Sequence, residues 1–193
     1  MEKRIKEAIK TLKEGGIIIF PTDTAFGIGC RIDKEKSIEK LFMIRKRPRT
    51  QPTPVLVDSL EMAQEYLEPI SEDVVNKLIK PHWPGALTVI FKCNKKRVSL
   101  LVRGGGNTLG VRMPNHEITQ KIIRNAGVPI LGPSANFHGD KTPYRFEDLD
   151  KKLVKLVDYV VAGECRVAQQ STVIDCSKKP WRIVRQGAVN YEL

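Results

Sequence analysis

The chain of 193 residues is defined first by what it lacks. No apolar stretch approaches the roughly 20 residues of a membrane span, so no membrane helix is expected. The start, Met1-Glu2-Lys3-Arg4-Ile5-Lys6-Glu7, is charged, with no apolar run behind it, so no secretory signal is expected either. The four cysteines, Cys30, Cys93, Cys165 and Cys176, contain no Cys-x-x-Cys pair. That argues against a zinc knuckle or a redox pair and for small buried hydrophobes. His82, His116 and His138 are equally scattered, so no protein-held metal is expected. Gly104-Gly105-Gly106 is followed by no Lys-Ser/Thr pair, and no strand-Gly-x-Gly-x-x-Gly-helix pattern occurs. The two commonest nucleotide-binding loops are therefore absent, and the glycine triplet reads as a flexible connection. No Ser-His-Asp or Cys-His set has a recognisable local context, which argues against a covalent nucleophile. With no repeat, low-complexity tract or linker, residues 1–193 read as one domain of a soluble, cytoplasmic protein.

What the chain does have is positive charge. Thirty-three Lys and Arg against 22 Asp and Glu give a formal net charge of +11. Such an excess favours polyanionic partners, namely RNA, DNA, anionic lipid or phosphate-rich substrates. A highly charged solvated surface is the plainer alternative.

Apolar periodicity alternates between helix and strand. Ile5, Ala8, Ile9 and Leu12 fall at helical spacing, closed by Gly15-Gly16. Ile17 to Phe20 is an unbroken apolar run of the kind covered on both faces. Ile38, Leu41 and Phe42 mark a second helix. Pro54 to Val57 reads as a strand. Asp58 is then expected to cap a helix carrying Met62, Ala63, Tyr66 and Leu67. Another helix is predicted from Ser71 through Ile79, then a turn at 81–85. Ala86–Phe91 and Leu109–Met113 read as strands. Ile118, Ile122 and Ile123 lie on a helix closed by Gly127, before a strand at 128–131. A helix over 146–156 and strands at 157–161, 172–175 and 181–184 complete the pattern. Several strands follow one another near the end, which predicts a mixed α/β sheet.

Polar signatures cluster where apolar runs end. Thr22, Asp23 and Thr24 follow the first strand. They suit either turn capping or a hydroxyl aimed at a small polar substrate, with Gly27 and Gly29 letting backbone crowd that ligand. Arg45, Lys46, Arg47 and Arg49 form a cluster stiffened by Pro48, Pro52 and Pro54, with Gln51 as a polar contact within the loop. A guanidinium held on such a backbone can make a paired contact with phosphate. Arg112 interrupts an apolar strand and must pair, with an internal Asp or Glu or with a ligand carboxylate. Ser134 and Asn136 follow Pro133 at a strand end. Ser171-Thr172 and Arg185-Gln186-Gly187 repeat the pairing of hydroxyl and cation.

Taken in order, these stretches resemble the YrdC family of threonylcarbamoyl-AMP synthases, in its short single-domain form. The matching segments are Phe20-Pro-Thr-Asp-Thr-Ala-Phe-Gly-Ile-Gly29, Arg45-Lys-Arg-Pro48, Trp83-Pro-Gly-Ala-Leu-Thr88, Val111-Arg-Met-Pro114, Pro133-Ser-Ala-Asn136, Ser171-Thr-Val173 and Arg185-Gln-Gly187. The resemblance implies a twisted sheet of parallel and antiparallel strands flanked by helices, with a large basic concave groove. It implies a nucleotidyltransferase that joins L-threonine, bicarbonate and ATP into threonylcarbamoyl-AMP and pyrophosphate, for modification of the tRNA adenosine beside the anticodon. A separate transferase would take the product. By motif, Thr24, Arg112 and Ser171 would hold threonine. Arg45, Arg47, Gln51, Thr108, Gly132, Ser134, Asn136, Thr142 and Arg185 would line the ATP side. Arg47 and Arg185 would act in catalysis, and Mg2+ would ride on the ATP phosphates. Arg45 occupies the lysine place of the family's Lys-x-Arg. Phe26 stands where tyrosine is common, His138 where serine is frequent, and Gln170 where glutamate is common. A non-catalytic protein of this fold that binds double-stranded RNA or tRNA is the alternative.

Overall fold

The computed structural model describes residues 2–192. Among the described residues nine strands form two mixed sheets. The smaller has the order β2-β1-β7 and the larger β6-β3-β5-β4-β8-β9. The run predicted at 17–20 contains β1 (Ile18–Phe20), wholly buried. Its alternation serves two cores: Ile17 and Ile19 face the main one, and Ile18 and Phe20 face a second with Ile5, Ala8 and Leu12 of helix α1 (Glu2–Lys13). β7 (Tyr159–Val160) pairs with β1 in parallel, and β2 (Gly27–Gly29) pairs antiparallel.

The sheets are not independent. β2 runs into β6 (Ile130–Leu131) through the bridges Gly27–Ser134 and Arg31–Ile130. In the larger sheet β3 (Val55–Leu56) and β5 (Thr108–Arg112) are parallel, as are β4 (Leu87–Lys92) and β8 (Thr172–Asp175). β9 (Arg182–Arg185) closes one edge, antiparallel to β8. Helix α2 (Glu35–Ile44) delivers the chain into the basic cluster. Helix α6 (Glu117–Ala126) packs its Ile122, Ile123 and Ala126 into the second core.

Several local readings are corrected. The residues after β1 were expected as loop alone, but Gly27–Gly29 form a strand. A Cβ on Gly29 would meet the Leu131 carbonyl oxygen at 1.8 Å, so this glycine crowds the neighbouring backbone, not a ligand. Helix α3 (Leu60–Gln64) is capped by Ser59, which accepts from Met62 N; Asp58 pairs instead with Arg124. Tyr66 and Leu67 lie past its end. The next helix starts at Glu72 (α4, Glu72–Val74), widens to a π-turn over Val75–Ile79 and continues as α5 (Lys80–His82). Pro81 thus sits inside helix, and the turn begins at the cis Trp83–Pro84 bond. The helix predicted over 146–156 is two pieces, a 3-10 turn at Phe146–Asp148 and α7 (Lys151–Val154), because Asp150 caps a fresh helix from Lys152 N and Leu153 N.

Candidate functional site

The loops after β1, α2 and β6 and the strands β4, β5, β8 and β9 enclose a cavity of about 400 Å³. Ten predicted residues meet on it: Thr24, Arg45, Arg47, Thr108, Arg112, Gly132, Ser134, Thr142, Ser171 and Arg185. Gln51 and Asn136 do not line it. The Gln51 backbone carbonyl accepts from Arg47 Nε at 3.3 Å. Asn136 stands behind the wall and organises it. Its Oδ1 accepts from Ser134 Oγ at 2.5 Å and from Arg45 Nη2 at 3.4 Å, and its Nδ2 donates to Phe137 O and Asp140 O, both at 2.8 Å.

Arg112 comes to the site at the end of β5, between β3 and β4. Of the two partners expected for this arginine, the internal acid is the one seen. Nη2 donates to Asp23 Oδ1 at 2.9 Å, an internal ion pair, while the residue still lines the cavity. Nη1 donates to Thr24 Oγ1 at 2.6 Å. Thr22 Oγ1 gives its proton to Ala25 O at 2.7 Å and lies 3.0 Å from Thr24 Oγ1. Thr24 is therefore the donor in that pair and accepts from Arg112. So Thr22 performs the turn-capping role, and Thr24 presents a lone pair to the cavity. Also on the cavity, Arg185 donates from Nε to Ser171 O at 3.0 Å and from Nη2 to Ser171 Oγ at 3.1 Å. Ser171 Oγ is 2.9 Å from Thr88 Oγ1.

Three of the four arginines are fixed by main-chain carbonyls, not by acids. Arg45 Nε donates to Asn136 O at 2.9 Å, Arg47 to Gln51 O and Pro52 O, and Arg185 to Ser171 O. Among the described residues no carboxylate lines the cavity. The cost appears in the proton affinities. Burial, with the charge of Arg47, pulls Arg45 down to about 10. Burial also lowers Arg47 and Arg185, and it lowers Arg112 against the opposing pull of Asp23. Arg45 Nη1 and the Thr53 hydroxyl are buried with no hydrogen-bond partner among the described residues, and both residues line the cavity. A buried polar atom without a partner is costly, so these two atoms are a local penalty in the wall of the cavity.

Sequence reasoning missed Thr53, Thr88 and Gln170 as lining residues. Thr88 sits in β4, where a threonine reads as an ordinary strand former. Thr53 lies between prolines and reads as loop. Gln170 donates from Nε2 to Thr142 Oγ1 at 2.7 Å, joining two loops of the wall. Pro54, Leu56, Ile90, Val173 and Val184 are among the apolar residues of the lining, and no polar signature could have marked them.

The fold and cavity define an α/β protein with an arginine-lined pocket at its loop ends. The chain belongs to the Sua5/YciO/YrdC family, whose model, described as telomere recombination, matches residues 10–187. It is 31% identical over 195 aligned residues to the threonylcarbamoyl-AMP synthase of Bacillus subtilis, covering 99% of this chain and 55% of that protein. The Pyrococcus abyssi protein of the same name is 33% identical, with 99% and 56% covered. This chain thus spans about half the length of these relatives. The crystal structure of Pyrococcus abyssi Sua5 complexed with L-threonine superposes with a TM-score of 0.91 at 31% identity, over 97% of this chain and 55% of that one. Escherichia coli YciO gives 0.86 at 27% identity, over 97% and 90%.

Proposed function

We propose that this protein is a threonylcarbamoyl-AMP synthase, joining L-threonine, bicarbonate and ATP into threonylcarbamoyl-adenylate and pyrophosphate. The observation that carries the reading is a single acid-free cavity on which four arginines converge beside the Thr24 and Ser171 hydroxyls. One carboxylate behind the wall, Asp23, offsets Arg112, which leaves three charges for an anion. The names of the relatives support the reading. A shape-reading RNA binder would need no cavity on which arginines and hydroxyls converge in this way.

In this reading Arg112 takes the threonine carboxylate, with Thr24 accepting and Ser171 completing the contact. Arg45, Arg47 and Arg185 face the phosphates, with Thr108, Ser134, Thr142 and the Gly132 backbone alongside. Magnesium enters as Mg-ATP, carried by its phosphates, since the lining offers no carboxylate to hold it. The threonine amine and CO2 derived from bicarbonate form a carbamate, the amine losing a proton. A carbamate oxygen attacks the α-phosphorus, and the bond to the bridging oxygen breaks to release pyrophosphate. Arg47 and Arg185 balance the charge gathering on that leaving group. Catalysis is alignment plus fixed electrostatics, with no covalent enzyme intermediate. The product would pass in the cytoplasm to a separate transferase acting on tRNA.

The test is pyrophosphate release from ATP by purified protein. It should require both threonine and bicarbonate. Release indifferent to threonine refutes the synthase reading. Absent release combined with tight tRNA binding supports the RNA-binding alternative.

A further inference from the structure

We infer that Gly104 is a positioning residue for Arg47: it lets the β4–β5 loop press against the Arg47–Pro52 segment closely enough to fix that guanidinium at the cavity wall. The inference rests on the nucleotide-site reading above.

The glycine triplet reads in sequence as a flexible connection, and the structure says otherwise for its first member. The loop is anchored in the core by Val98, Leu101 and Val102, all buried. Arg103 staples it from the other side, donating from Nε to Val98 O at 3.3 Å and from Nη1 to Gly106 O. This firm loop meets the basic segment at two points. Thr53 N donates to Val102 O at 2.8 Å. Gly104 lies directly against the chain at 50–52, where a Cβ would stand 2.6 Å from Pro52 N, 2.7 Å from Thr50 O and 2.8 Å from Pro52 Cδ. Two of those atoms are backbone, so no side-chain rotation relieves the overlap.

The segment held in this way supplies the two carbonyls that orient Arg47. Its Nε donates to Gln51 O at 3.3 Å and its Nη2 to Pro52 O. Arg47 has no acid partner among the described residues, so its direction depends on where those carbonyls stand. Pushing 50–52 away by the missing few tenths of an ångström or more turns both carbonyls. The guanidinium then leaves its phosphate-facing position. Charge displaced by about 1 Å costs reactions and binding strongly.

Gly105 supplies an internal control. Both glycines have positive φ, +57° at Gly104 and +82° at Gly105, so alanine is strained at either. A Cβ on Gly105 meets nothing within 4 Å. The two substitutions share the backbone penalty and differ only in the collision with Pro52.

The experiment measures binding of Mg-ATP alone and of L-threonine alone by calorimetry. Gly104→Ala should weaken Mg-ATP about tenfold or more, by the displacement argument, and leave threonine within about twofold. Gly105→Ala should leave both within about twofold. In an Arg47→Ala background Gly104→Ala should add less than about twofold, because the group it positions is gone. Should Gly104→Ala not fold, Arg103→Lys keeps the charge, frees the staple without a collision, and should selectively weaken Mg-ATP. Equal weakening of both ligands overturns the inference, as does normal Mg-ATP binding by Gly104→Ala, a full effect in the Arg47→Ala background, or Arg103→Lys that binds as wild type does. Wild-type protein that binds threonine but not Mg-ATP overturns the nucleotide-site reading itself.

Discussion

Breaking the Arg112–Asp23 pair from each side in turn should give unequal costs. The two side chains are 5% and 6% exposed, 2.9 Å apart. At an effective dielectric of about 20, charges at that distance attract by about 6 kcal/mol before desolvation is subtracted. Removing one partner of such a buried pair costs about 3–5 kcal/mol, a large share of the roughly 5–15 kcal/mol that holds a domain together. Asp23→Ala leaves Arg112 buried with Thr24 as its remaining partner. It also exposes Arg112 to Arg185, whose charge already lowers the Arg112 proton affinity. Arg112→Met leaves the Asp23 carboxylate without its partner, but it also removes the repulsion between Arg112 and Arg185. Asp23→Ala should therefore be the more costly change. The double variant removes both charges and should cost at least about 2 kcal/mol less than the two single costs combined. Urea unfolding of the four ligand-free proteins measures this, with unchanged m-values confirming that only stability moved. Additivity within about 0.5 kcal/mol would falsify the coupling. A cheaper Asp23→Ala would refute the role given to Arg185.

Thr53→Val keeps the shape and removes a buried hydroxyl with no partner among the described residues. It should stabilise the ligand-free protein by about 1 kcal/mol, a rise of about 2–4 °C in melting temperature, and a loss instead would show that the hydroxyl is paired. His116 caps α6 through Nδ1, which accepts from Thr119 N at 3.4 Å, and burial lowers its proton affinity below the usual 6.5. Its folded value lies below its unfolded one, so the contribution is complete above about pH 6.5 and is lost as pH falls through the folded value. Stability of His116→Asn, a residue that caps without titrating, should fall less steeply than wild type below pH 6.5; parallel curves would refute this. Burial pushes the Cys30 and Cys176 thiols up to about 12 and Cys165 to about 11. At pH 8 their thiolate fraction is about one in a thousand or less, so a thiol reagent should label the native chain slowly and the unfolded chain at once. A rapid reaction of any of these three in the native chain would contradict the burial account.

The parts of the fold legible in sequence are those where one physical signal dominates. Ile17 to Phe20 is apolar without interruption because each alternate residue enters a different core. Helices α1 and α6 keep a single buried stripe, so their period is plain. β2 is illegible because two of its three residues are glycine, which is depleted in strands. Its glycines answer to Phe20 and Leu131, which lie far away in sequence or across the hairpin. Pro81 looked like a helix end, but the π-widening at 75–79 carries helix past it. For the site, residue chemistry was readable and convergence was not. Arg112, Ser171 and Arg185 share a cavity because β5 and β8 flank β4, and no local spacing encodes that order. Gln51 and Asn136 sit in the right segments, yet one contributes a carbonyl and the other an amide behind the wall. Sequence does not say which end of a residue faces the ligand.

The way the arginines are held explains how a pocket of like charges can exist and stay useful. A carboxylate partner fixes a guanidinium and also cancels its charge. A phosphate ligand would then have to displace an acid before gaining anything. A main-chain carbonyl fixes direction through a hydrogen bond while carrying only a dipole, so the positive charge remains available. Arg45, Arg47 and Arg185 are all held by carbonyls. The ligand-free protein bears the desolvation that results, visible in the lowered proton affinities of all three, and Arg45 bears repulsion from Arg47 as well. That cost is met on folding, so an incoming anion finds its partners already oriented. Gln170 fits the same logic. Its neutral amide spans to Thr142 at the wall, where a glutamate would have placed a carboxylate among the three unbalanced charges. The arrangement suits a ligand bearing several negative charges of its own, as the ATP of the proposed reaction does.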